Sequence, residues 1–575
     1  MTGSGITRNQ AALLLFLVLG LGLGLRLWGL GFGLPELNHA DEPIVVNHAL
    51  AYGTGDFHPH FFNIPPLSSY LLFIVYGFYY LSGLLLGIFS GKEDFLNLFL
   101  SNPSSFYYLG RVFIGAFFGV LSIYVSYRLS RLLWDRAFAL TASALMAVLY
   151  LPVFVSHFIY PDSPLLFAMI LSLYFYMKIY KKGRTKDYLG AILVTGFAIA
   201  LKYNAALLAI PFLTAHYLKM GVNGSGVGDS KSKIFILLGV PVLIGLGIGV
   251  VFFILNPYFF FDWSFALKEL REQGHSTGFQ GWAHHLLYSL KEGIGLPMLI
   301  LFLLSFFLGI FSLKKDRYLV IFYMATLVFY LHLVFFAQPY SRYGILLIPQ
   351  AVIFSIWGIA WIEKRFKMKK ITTVVLVAVF LLPIYKSVAL GTLLSKEDTR
   401  GQAKNWFLKT IPGKTKVFFD IPRFQPRLPY CEDDLREVLE KADPDSPQAK
   451  RTQALIKINQ QLPCFYVYYP GEKGDRQSSE FLLSGRKITF DGDEIMKEGI
   501  RYVGITRLRP NYPKKEILEF LERNGELVAR FSPYWDPSRS ASWDPIDMTG
   551  APTTLKDLKS RQRNGHLIEI YKLKG

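Results

Sequence analysis

Residues 37–70, LNHADEPIVVNHALAYGTGDFHPHFFNIPPLSSY, follow directly after the first long apolar run of the chain, AALLLFLVLGLGLGLRLWGLGFG at residues 11–33. The stretch holds two adjacent carboxylates, Asp41 and Glu42, together with four histidines and a Pro-Pro pair. Ionisable groups beside membrane helices are costly unless they pair or do chemistry. We therefore interpret residues 37–70 as a functional loop on a membrane-embedded helical body.

The composition supports a membrane protein. Of 575 residues, 52% are hydrophobic and only 18% are charged, and the mean hydropathy is +0.32. Runs of about 20 apolar residues, the length that crosses a bilayer, recur from residue 11 to residue 394. A net charge of +19 would suggest nucleic acid in a soluble protein. Here Lys and Arg cluster in short loops between apolar runs and report orientation, so we expect no nucleic-acid partner.

Five basic clusters fix the orientation, because short loops rich in Lys and Arg stay in the cytoplasm. The clusters lie at residues 128–136, 178–186, 219–233, 314–317 and 364–370. Because successive loops lie on alternating sides of the membrane, these clusters place the loop with Asp41, the residue Arg111 and the C-terminal region outside. The first apolar run exceeds the 7 to 15 residues of a signal-peptide core, and we take it as a spanning helix. The other predicted spans are 111–134, 137–156, 164–181, 187–201, 203–219, 233–255, 294–313, 318–337, 343–362 and 371–393.

One apolar segment, Pro66–Ser90, does not fit this alternation. A single crossing there would put Asp41 on the cytoplasmic side, away from the other polar outer loops. We therefore predict that it lies in the interface or is re-entrant, within one long outer loop of about residues 33–110. The fold is then mainly α, a polytopic bundle of about eleven spanning helices plus this element. The alternative is an ordinary span with Met1 outside, because Arg8 carries too little charge to fix the orientation.

The last part of the chain, residues 395–575, is mixed polar sequence, and we separate it from the membrane domain at residues 1–394. Short β-branched or aromatic runs alternate there with helical stretches, which predicts a small extracytoplasmic α/β domain. The only cysteines, Cys431 and Cys464, lie in it, and outside the cytoplasm either a disulfide or two structural thiols is consistent with them. Strands are predicted at 416–420, 464–470, 501–508, 526–531 and 567–573, and a helix at 513–525.

The predicted topology gathers uncommon polar residues on the outer face, where they suit an anionic, lipid-attached substrate. An aspartate can take a proton from an attacking hydroxyl, and Arg or Lys can hold a phosphate. The candidate catalytic residues are Asp41, Glu42 and Asp162. The candidate residues for the donor phosphate and substrate are Lys202, Arg342, Tyr340, Tyr343, Arg111, His58, His60, Pro65 and Pro66.

Plainer interpretations of these residues stay open. Asp41 and Glu42 could cap the helix that begins at Pro43, and Asp162 could be another helix cap. Arg342 could be an anchor at the lipid headgroups. A metal site is a further alternative for His39, His48, His58 and His60, although no tight ligand cluster supports it. A divalent ion on the acidic residues is also an option.

An ordered series of motifs resembles the polytopic C-type glycosyltransferases, the family related to the protein O-mannosyltransferases and the lipid A aminoarabinose transferase. The resemblance spans roughly residues 10–420 and begins with the acidic pair, the Gly-Asp-x-x-Pro stretch and the Pro-Pro-Leu of the first outer loop. The later motifs are LGR at 109–111, YPDSP at 160–164, LKYNAALLAIP at 201–211, NPYFFFD at 256–262, YSRYGILLIP at 340–349 and EDTRGQAKNWFLKTIPGKTKVFF at 397–419.

The resemblance implies transfer of a sugar from a polyprenyl-phosphate donor, with inversion, on the outer face of a bacterial inner membrane. The acceptor would be an envelope lipid, a glycan or an exported protein. The family's catalytic aspartate falls on Asp41, with Glu42 as its companion and Asp162 as a second acidic position. The aminoarabinose branch has a lysine where this chain has Ile64. That departure argues against aminoarabinose as the sugar and leaves the phosphate to Arg342 and Lys202.

The main rival function is a transporter or flippase for a lipid-linked or anionic solute, because intramembrane charges also mark such pathways. Transporters are commonly built from two related halves with broken helices, and the sequence shows no internal repeat. Most of the charge also falls at one outer face. We therefore favour the transferase.

Overall fold

The computed structural model describes residues 5–574 with gaps. The gaps are residue 40 and the stretches 224–234, 274–280, 367–368, 422–423, 445, 460–462, 471–485, 489–491, 508–514 and 540–553. Lys231, Lys233 and residues 367–368 of the predicted basic clusters therefore lie outside the described residues.

Helices dominate the described chain as far as Thr410, which confirms the predicted mainly α class. A helix lies at every predicted span, because long apolar runs can satisfy their backbone in a membrane only as helices or closed barrels. The helical segments are Arg8–Leu27, Glu42–Ala51, Tyr52–Thr54, Leu67–Leu85, Lys92–Ser101, Ser104–Gly110, Arg111–Ala116, Phe117–Leu133, Arg136–Val148, Tyr150–Val155, Asp162–Lys181, Thr185–Leu201, Tyr203–Leu208, Ala209–Asn223, Phe235–Gly239, Val240–Leu255, Pro257–Phe261, Trp263–Gln273, Gly281–His284, His285–Leu290, Lys291–Ile294, Leu296–Ile310, Leu319–Phe335, Ser341–Leu347, Ile348–Phe366, Lys369–Leu394 and Thr399–Thr410.

Seven helical stretches of the described chain are long and apolar enough to cross a membrane, and eight if one bent pair counts as a single span. The bent pair joins Gly281–Ile294 to Leu296–Ile310 at an angle of 119°. The chain is an integral membrane protein. Leu67–Leu85 passes the same test of length and composition. The count of about eleven crossings and the placement of Pro66–Ser90 stay predictions.

The predicted span 137–156 is interrupted at Leu149, which has extended backbone between two helices. The carbonyl groups of Met146 and Ala147 lie in the last turn of the first helix, where no later turn can bond them. The buried guanidinium of Arg26 donates to both, at 3.2 and 3.0 Å. Gly119 makes room for it, since a Cβ there would lie 2.5 Å from Arg26 Nε. A buried arginine thus provides hydrogen-bond donors for the carbonyl groups that the break in the helix leaves free.

The C-terminal region folds around a six-stranded sheet with the order β3-β2-β1-β4-β6-β5. β1 pairs in parallel with β2 and β4, whereas β6 runs antiparallel to β4 and β5. All five predicted strands are confirmed, and β3 was missed because its three residues show no periodicity. The strands are β1 Thr415–Phe419, β2 Phe465–Pro470, β3 Arg486–Ile488, β4 Tyr502–Arg507, β5 Gly525–Phe531 and β6 Leu567–Leu573.

Helices complete this α/β region. Cys431 and Cys464 form a disulfide, which ties the start of one helix to the residue before β2 and decides between the two sequence alternatives. The boundary at residue 395 stays a prediction. The helices are Glu432–Lys441, Pro447–Asn459, Gly492–Lys497, Lys515–Asn524 and Leu555–Ser560.

The C-terminal region contacts the segment that leads to Asp41. Lys404 Nζ donates to Glu36 Oε1 at 2.8 Å, and Arg400 Nη1 reaches the carbonyl of Asn38 at 3.4 Å. Both cations lie on the helix Thr399–Thr410, which follows the last membrane helix. The segment that leads to Asp41 is therefore held by the beginning of the C-terminal region.

A buried ion pair fixes the other side of this segment. Arg111 donates from Nε and Nη2 to the two carboxylate oxygens of Glu42 at 2.8 and 2.7 Å, and both side chains are fully buried. The remaining donor, Nη1, bonds the carbonyl groups of Leu30 and Phe32. Glu42 also accepts from the backbone N–H of Ile159. One ion pair therefore joins four segments of the fold.

We expect Glu42→Gln to destabilise the protein strongly, because it leaves the Arg111 charge buried without a counter-ion. Breaking one partner of a buried pair costs about 3–5 kcal/mol. The unfolding midpoint of the purified protein in detergent should fall clearly. The matched control is Glu437→Gln, which breaks an exposed pair with Lys441 and should cost less than about 1 kcal/mol. Equal shifts in the two variants would contradict this role for Glu42.

Candidate active site

Asp41 occupies the cap position of the helix Glu42–Ala51, but its side chain makes no capping hydrogen bond. Its carboxylate instead accepts from Arg342 Nη1 at 2.6 Å, across 301 residues of sequence. Pro43 lies in the first turn, where a missing N–H costs nothing. The capping alternative is therefore wrong for the Asp41 side chain, which faces another part of the chain.

His39 orients the backbone at Asp41. The N–H of Asp41 donates to His39 Nδ1 at 3.2 Å, and the His39 ring stacks on Phe158 with centroids 4.4 Å apart. Burial lowers the pKa of His39, which keeps the ring neutral and its Nδ1 able to accept. The sequence stretch contained His39, but nothing in the pattern showed this contact.

Arg342 lies between two carboxylates. It reaches Asp41 through Nη1, and its Nε lies 3.9 Å from Asp162 Oδ2. Asp162 also accepts from Lys202 Nζ at 2.7 Å. The result is a row of alternating charge, Asp41, Arg342, Asp162 and Lys202, assembled from four separate segments. The sequence predicted each of these residues for the site, and the structure brings them into contact.

Local backbone structure explains how each member projects into the row. Asp162 is the first residue of the helix Asp162–Lys181, where a carboxylate suits the positive end of the helix dipole. Lys202 has extended backbone at the break after Thr185–Leu201. Arg342 lies in the 3₁₀ turn Ser341–Leu347 that leads into a membrane helix. Each charge therefore sits at a helix end or break.

Three tyrosine rings surround the two cations. The Arg342 guanidinium carbon lies 4.5 Å from the Tyr160 ring centroid, 5.3 Å from Tyr340 and 5.9 Å from Tyr343. Lys202 Nζ lies 4.5 Å from the Tyr343 centroid. Aromatic faces attract cations within about 6 Å and keep water away from them. Tyr340 and Tyr343 were predicted, whereas Tyr160 was missed although its YPDSP motif was recognised.

The Nε–H of Arg342 is a donor with no acceptor among the residues that the structure describes, and it is buried. The Asp162 carboxylate oxygen Oδ2 is beyond hydrogen-bond distance of this nitrogen, at 3.9 Å. A buried unpaired donor costs about 1–3 kcal/mol, and natural structures rarely keep one without a reason. Arg342 can therefore take an oxygen ligand while Nη1 holds Asp41.

The other predicted site residues lie in different surroundings. Glu42 and Arg111 are buried and saturated by each other, so a part for them in catalysis or donor binding stays a prediction. Pro65 and Pro66 are buried ahead of the helix Leu67–Leu85. With Ile64, they line a small apolar cavity. Their place in donor binding also stays a prediction.

The four histidines of the first outer loop do not form one cluster, although the ring centroids of His58 and His60 lie 4.2 Å apart. His60 is paired with Asp56 at 2.9 Å and is largely exposed, while His58 lies 3.5 Å from Asp262. His48 is bonded to the carbonyl of Ile44. Within the described ranges, no group of three or more His, Cys, Asp and Glu side chains is placed to hold a metal ion. A divalent ion, and donor binding by His58 and His60, stay predictions.

Structural neighbours exist at low identity. The archaeal oligosaccharyltransferase AglB of Archaeoglobus fulgidus, solved with an inhibitory peptide and a dolichol-phosphate, is 11% identical over 88% of this chain and 70% of its own, with a TM-score of 0.47. ArnT of Cupriavidus metallidurans is 14% identical over 89% and 96%, with a TM-score of 0.45. The S. cerevisiae Pmt1-Pmt2 complex, bound to its sugar donor, is 21% identical over 44% and 35%, with a TM-score of 0.30. No curated protein matches the chain.

A family model gives the more direct comparison. Residues 106–247 match the dolichyl-phosphate-mannose-protein mannosyltransferase family. This stretch is about a quarter of the chain and carries Asp162 and Lys202 of the charged row. The matched residues contain the motifs LGR at 109–111, YPDSP at 160–164 and LKYNAALLAIP at 201–211. Over residues 106–247 the chain is similar to the dolichyl-phosphate-mannose-protein mannosyltransferase family, and the resemblance predicted from its motifs is confirmed.

Proposed function

We propose that this membrane glycosyltransferase moves a sugar from a polyprenyl-phosphate donor to an acceptor hydroxyl at the row Asp41, Arg342, Asp162 and Lys202. The observation that carries the proposal is the buried Nε–H of Arg342, which has no acceptor among the described residues. A phosphate oxygen is the ligand that an arginine fork suits best. The family name, with its dolichyl-phosphate-linked mannose, supports the same class of donor.

The donor phosphate lies against Arg342 and Lys202 in this proposal. Arg342 has five N–H groups, so Nη1 can keep its bond to Asp41 while other donors reach the phosphate. Lys202 adds a second positive charge and is held by Asp162. Both cations are partly buried among tyrosine rings, where a charge interaction is stronger than in water. They stabilise the lipid phosphate as negative charge builds up on its leaving oxygen.

Asp41 acts on the acceptor. The hydroxyl oxygen attacks the anomeric carbon from the face opposite the phosphate, the bond from that carbon to the phosphate oxygen breaks, and the hydroxyl proton passes to Asp41. The lipid phosphate leaves with the bonding electron pair, and the anomeric configuration inverts. Asp162 has a supporting part, because it touches both cations and fixes their separation.

The site faces the extracytoplasmic side of a bacterial inner membrane in this proposal, together with residues 395–575. The orientation rests on the five basic clusters, which belong in the cytoplasm. The partners are the bilayer, the lipid-linked donor and an envelope lipid, glycan or protein acceptor. The transferred sugar is a hexose or a pentose. Contacts of Lys404 and Arg400 with Glu36 and Asn38 suit an outer region that helps to position the acceptor beside Asp41.

We expect Asp41→Asn to slow transfer greatly while the fold remains. Proton transfer by a positioned side chain contributes about 10²- to 10⁴-fold, so the rate should fall by that factor. The assay follows release of polyprenyl phosphate by the purified protein in detergent, with a panel of polyprenyl-phosphate sugars and with or without membrane extract as acceptor. Glu437→Gln is the matched control, since it removes an exposed carboxylate far along the chain, and it should keep full activity.

The same assay can overturn this role. Binding of the lipid without turnover, unchanged in Asp41→Asn, would remove Asp41 from catalysis and favour a transporter or flippase of a lipid-linked solute.

Lys202→Gln should lower kcat/KM for the donor by about 10²-fold, because one stabilising charge on the leaving phosphate is lost. Lys202→Arg should restore part of it. The control is Lys178→Gln, which breaks a similar ion pair, Lys178–Asp187 at 2.6 Å. That pair lies at the other end of the helix Asp162–Lys181. If both Gln variants lose activity equally, the effect of Lys202 is structural only.

A further inference from the structure

The short helix Leu555–Ser560 of the C-terminal region packs on the last membrane helix, Lys369–Leu394. Its Leu558 is 3% exposed and belongs to the same apolar cluster as the side chains of the membrane helices. The neighbouring side chain, Lys559, is exposed. Part of the C-terminal region therefore lies beside the membrane helix and not only beyond its end.

Lys559 lies over a lipid-facing side of that helix. Its Nζ is 5.5 Å from the ring centroid of Tyr385, which is 44% exposed. Leu381 and Val388, four residues before Tyr385 and three after it, are exposed as well. Such spacing marks one side of a helix, and the exposed apolar side of a membrane span contacts lipid. The ammonium of Lys559 is therefore placed at the boundary between the protein and the surrounding lipid.

Trp535 extends this surface toward the end of the membrane helix. Its backbone N–H donates to the carbonyl of Ser560 at 3.1 Å, which places it beside Lys559, and its side chain is 64% exposed. Lys396, just after the membrane helix, has its Nζ 5.3 Å from the Trp535 ring centroid. These contacts join two lysines and two exposed aromatic rings into one surface. We call it the boundary patch, and its members are Tyr385, Lys396, Trp535 and Lys559.

The two lysines of the boundary patch are not neutralised by the protein. Within the described ranges, no carboxylate pairs with either of them. Charged groups at the edge of the hydrocarbon are costly unless they find a polar partner. The carboxylates that adjoin the patch in sequence bond other residues, and these contacts are Asp557 to Arg561 at 3.2 Å, Glu397 to Asn405 at 2.8 Å and Asp536 to Ser538 at 2.9 Å.

We propose that the boundary patch binds the headgroup of an anionic phospholipid. The ammonium groups of Lys396 and Lys559 hold its negative charge. The rings of Tyr385 and Trp535 lie where the acyl chains meet the headgroups, the level at which tyrosine and tryptophan are enriched in membrane proteins. The bound lipid fastens the C-terminal region to the side of the last membrane helix. This site does not depend on the proposed transfer reaction.

A single fluorescent reporter can follow the patch, because Cys431 and Cys464 are paired with each other. Ser538→Cys, at an exposed position near Trp535, carries bimane on the full-length protein. The protein is placed in dioleoylphosphatidylcholine nanodiscs with rising fractions of dioleoylphosphatidylglycerol. Quenching by a phosphatidylcholine with a nitroxide on its headgroup reports contact with the membrane surface. We expect quenching to increase with the phosphatidylglycerol fraction until it saturates, and to decrease when salt is added.

Variants of the two lysines test whether they cause this effect. Lys559→Gln and Lys396→Gln should each raise the phosphatidylglycerol fraction at half-maximal quenching by about fivefold, because each basic residue near an anionic membrane surface contributes about that much. Lys559→Arg keeps the charge and should behave like the unmodified chain. Lys441→Gln, which breaks an exposed pair with Glu437, is the matched control and should leave the titration unchanged.

Three results would overturn the site. One is quenching that does not depend on the phosphatidylglycerol fraction, and another is the same titration in the unmodified chain and in both Gln variants of the patch. The third is an absence of quenching at every lipid composition, which would mean that the patch faces water or another protein. A shift in Lys441→Gln as large as that in Lys559→Gln would show a general effect of net charge and would also remove the patch as its cause.

Discussion

The proposed chemistry depends on the guanidinium of Arg342, which lies between the carboxylates of Asp41 and Asp162. It holds Asp41 at 2.6 Å and lies 3.9 Å from Asp162, which in turn holds Lys202. Two carboxylates and two cations balance in charge, so the row is stable without a ligand. The Nε–H of Arg342 is nevertheless unsatisfied among the described residues. The arrangement is thus neutral overall and still open to an oxygen anion.

The adjacent carboxylates Asp41 and Glu42 pair with different parts of the fold. Glu42 turns inward, where Arg111 and the N–H of Ile159 saturate it. Asp41 turns toward Arg342 and remains partly exposed, at 27% of its side chain. The buried pair fixes the start of the helix, and Asp41 is thereby positioned. Removing Glu42 should therefore cost stability, whereas removing Asp41 should cost turnover.

The sequence predicted the helices well because their signal is local. Apolar runs of bilayer length mark a span wherever they occur, and the alternation of β-branched residues marked five of the six strands. The candidate residues Asp41, Asp162, Lys202 and Arg342 were all named from the sequence, and the structure brings them into contact. What the sequence could not give was the pairing itself. Asp41 and Arg342 are 301 residues apart, and nothing local distinguishes Glu42, which pairs with Arg111, from Asp41.

Contacts between distant segments explain the other features that the sequence did not predict. Tyr160 and His39 act through rings and backbone groups of segments that meet only in the folded chain. The break at Leu149 depends on Arg26, which lies more than a hundred residues earlier. The pairing of Cys431 with Cys464 was left open, because spacing alone does not bring two thiols together.

A cryo-electron microscopy structure of the protein with bound polyprenyl phosphate would test the proposed site most directly. We predict phosphate oxygens within hydrogen-bond distance of Arg342 and Lys202, with the Asp41 carboxylate facing the side from which an acceptor would approach. A phosphate bound elsewhere, with the Nε–H of Arg342 still lacking an acceptor, would contradict the proposed site.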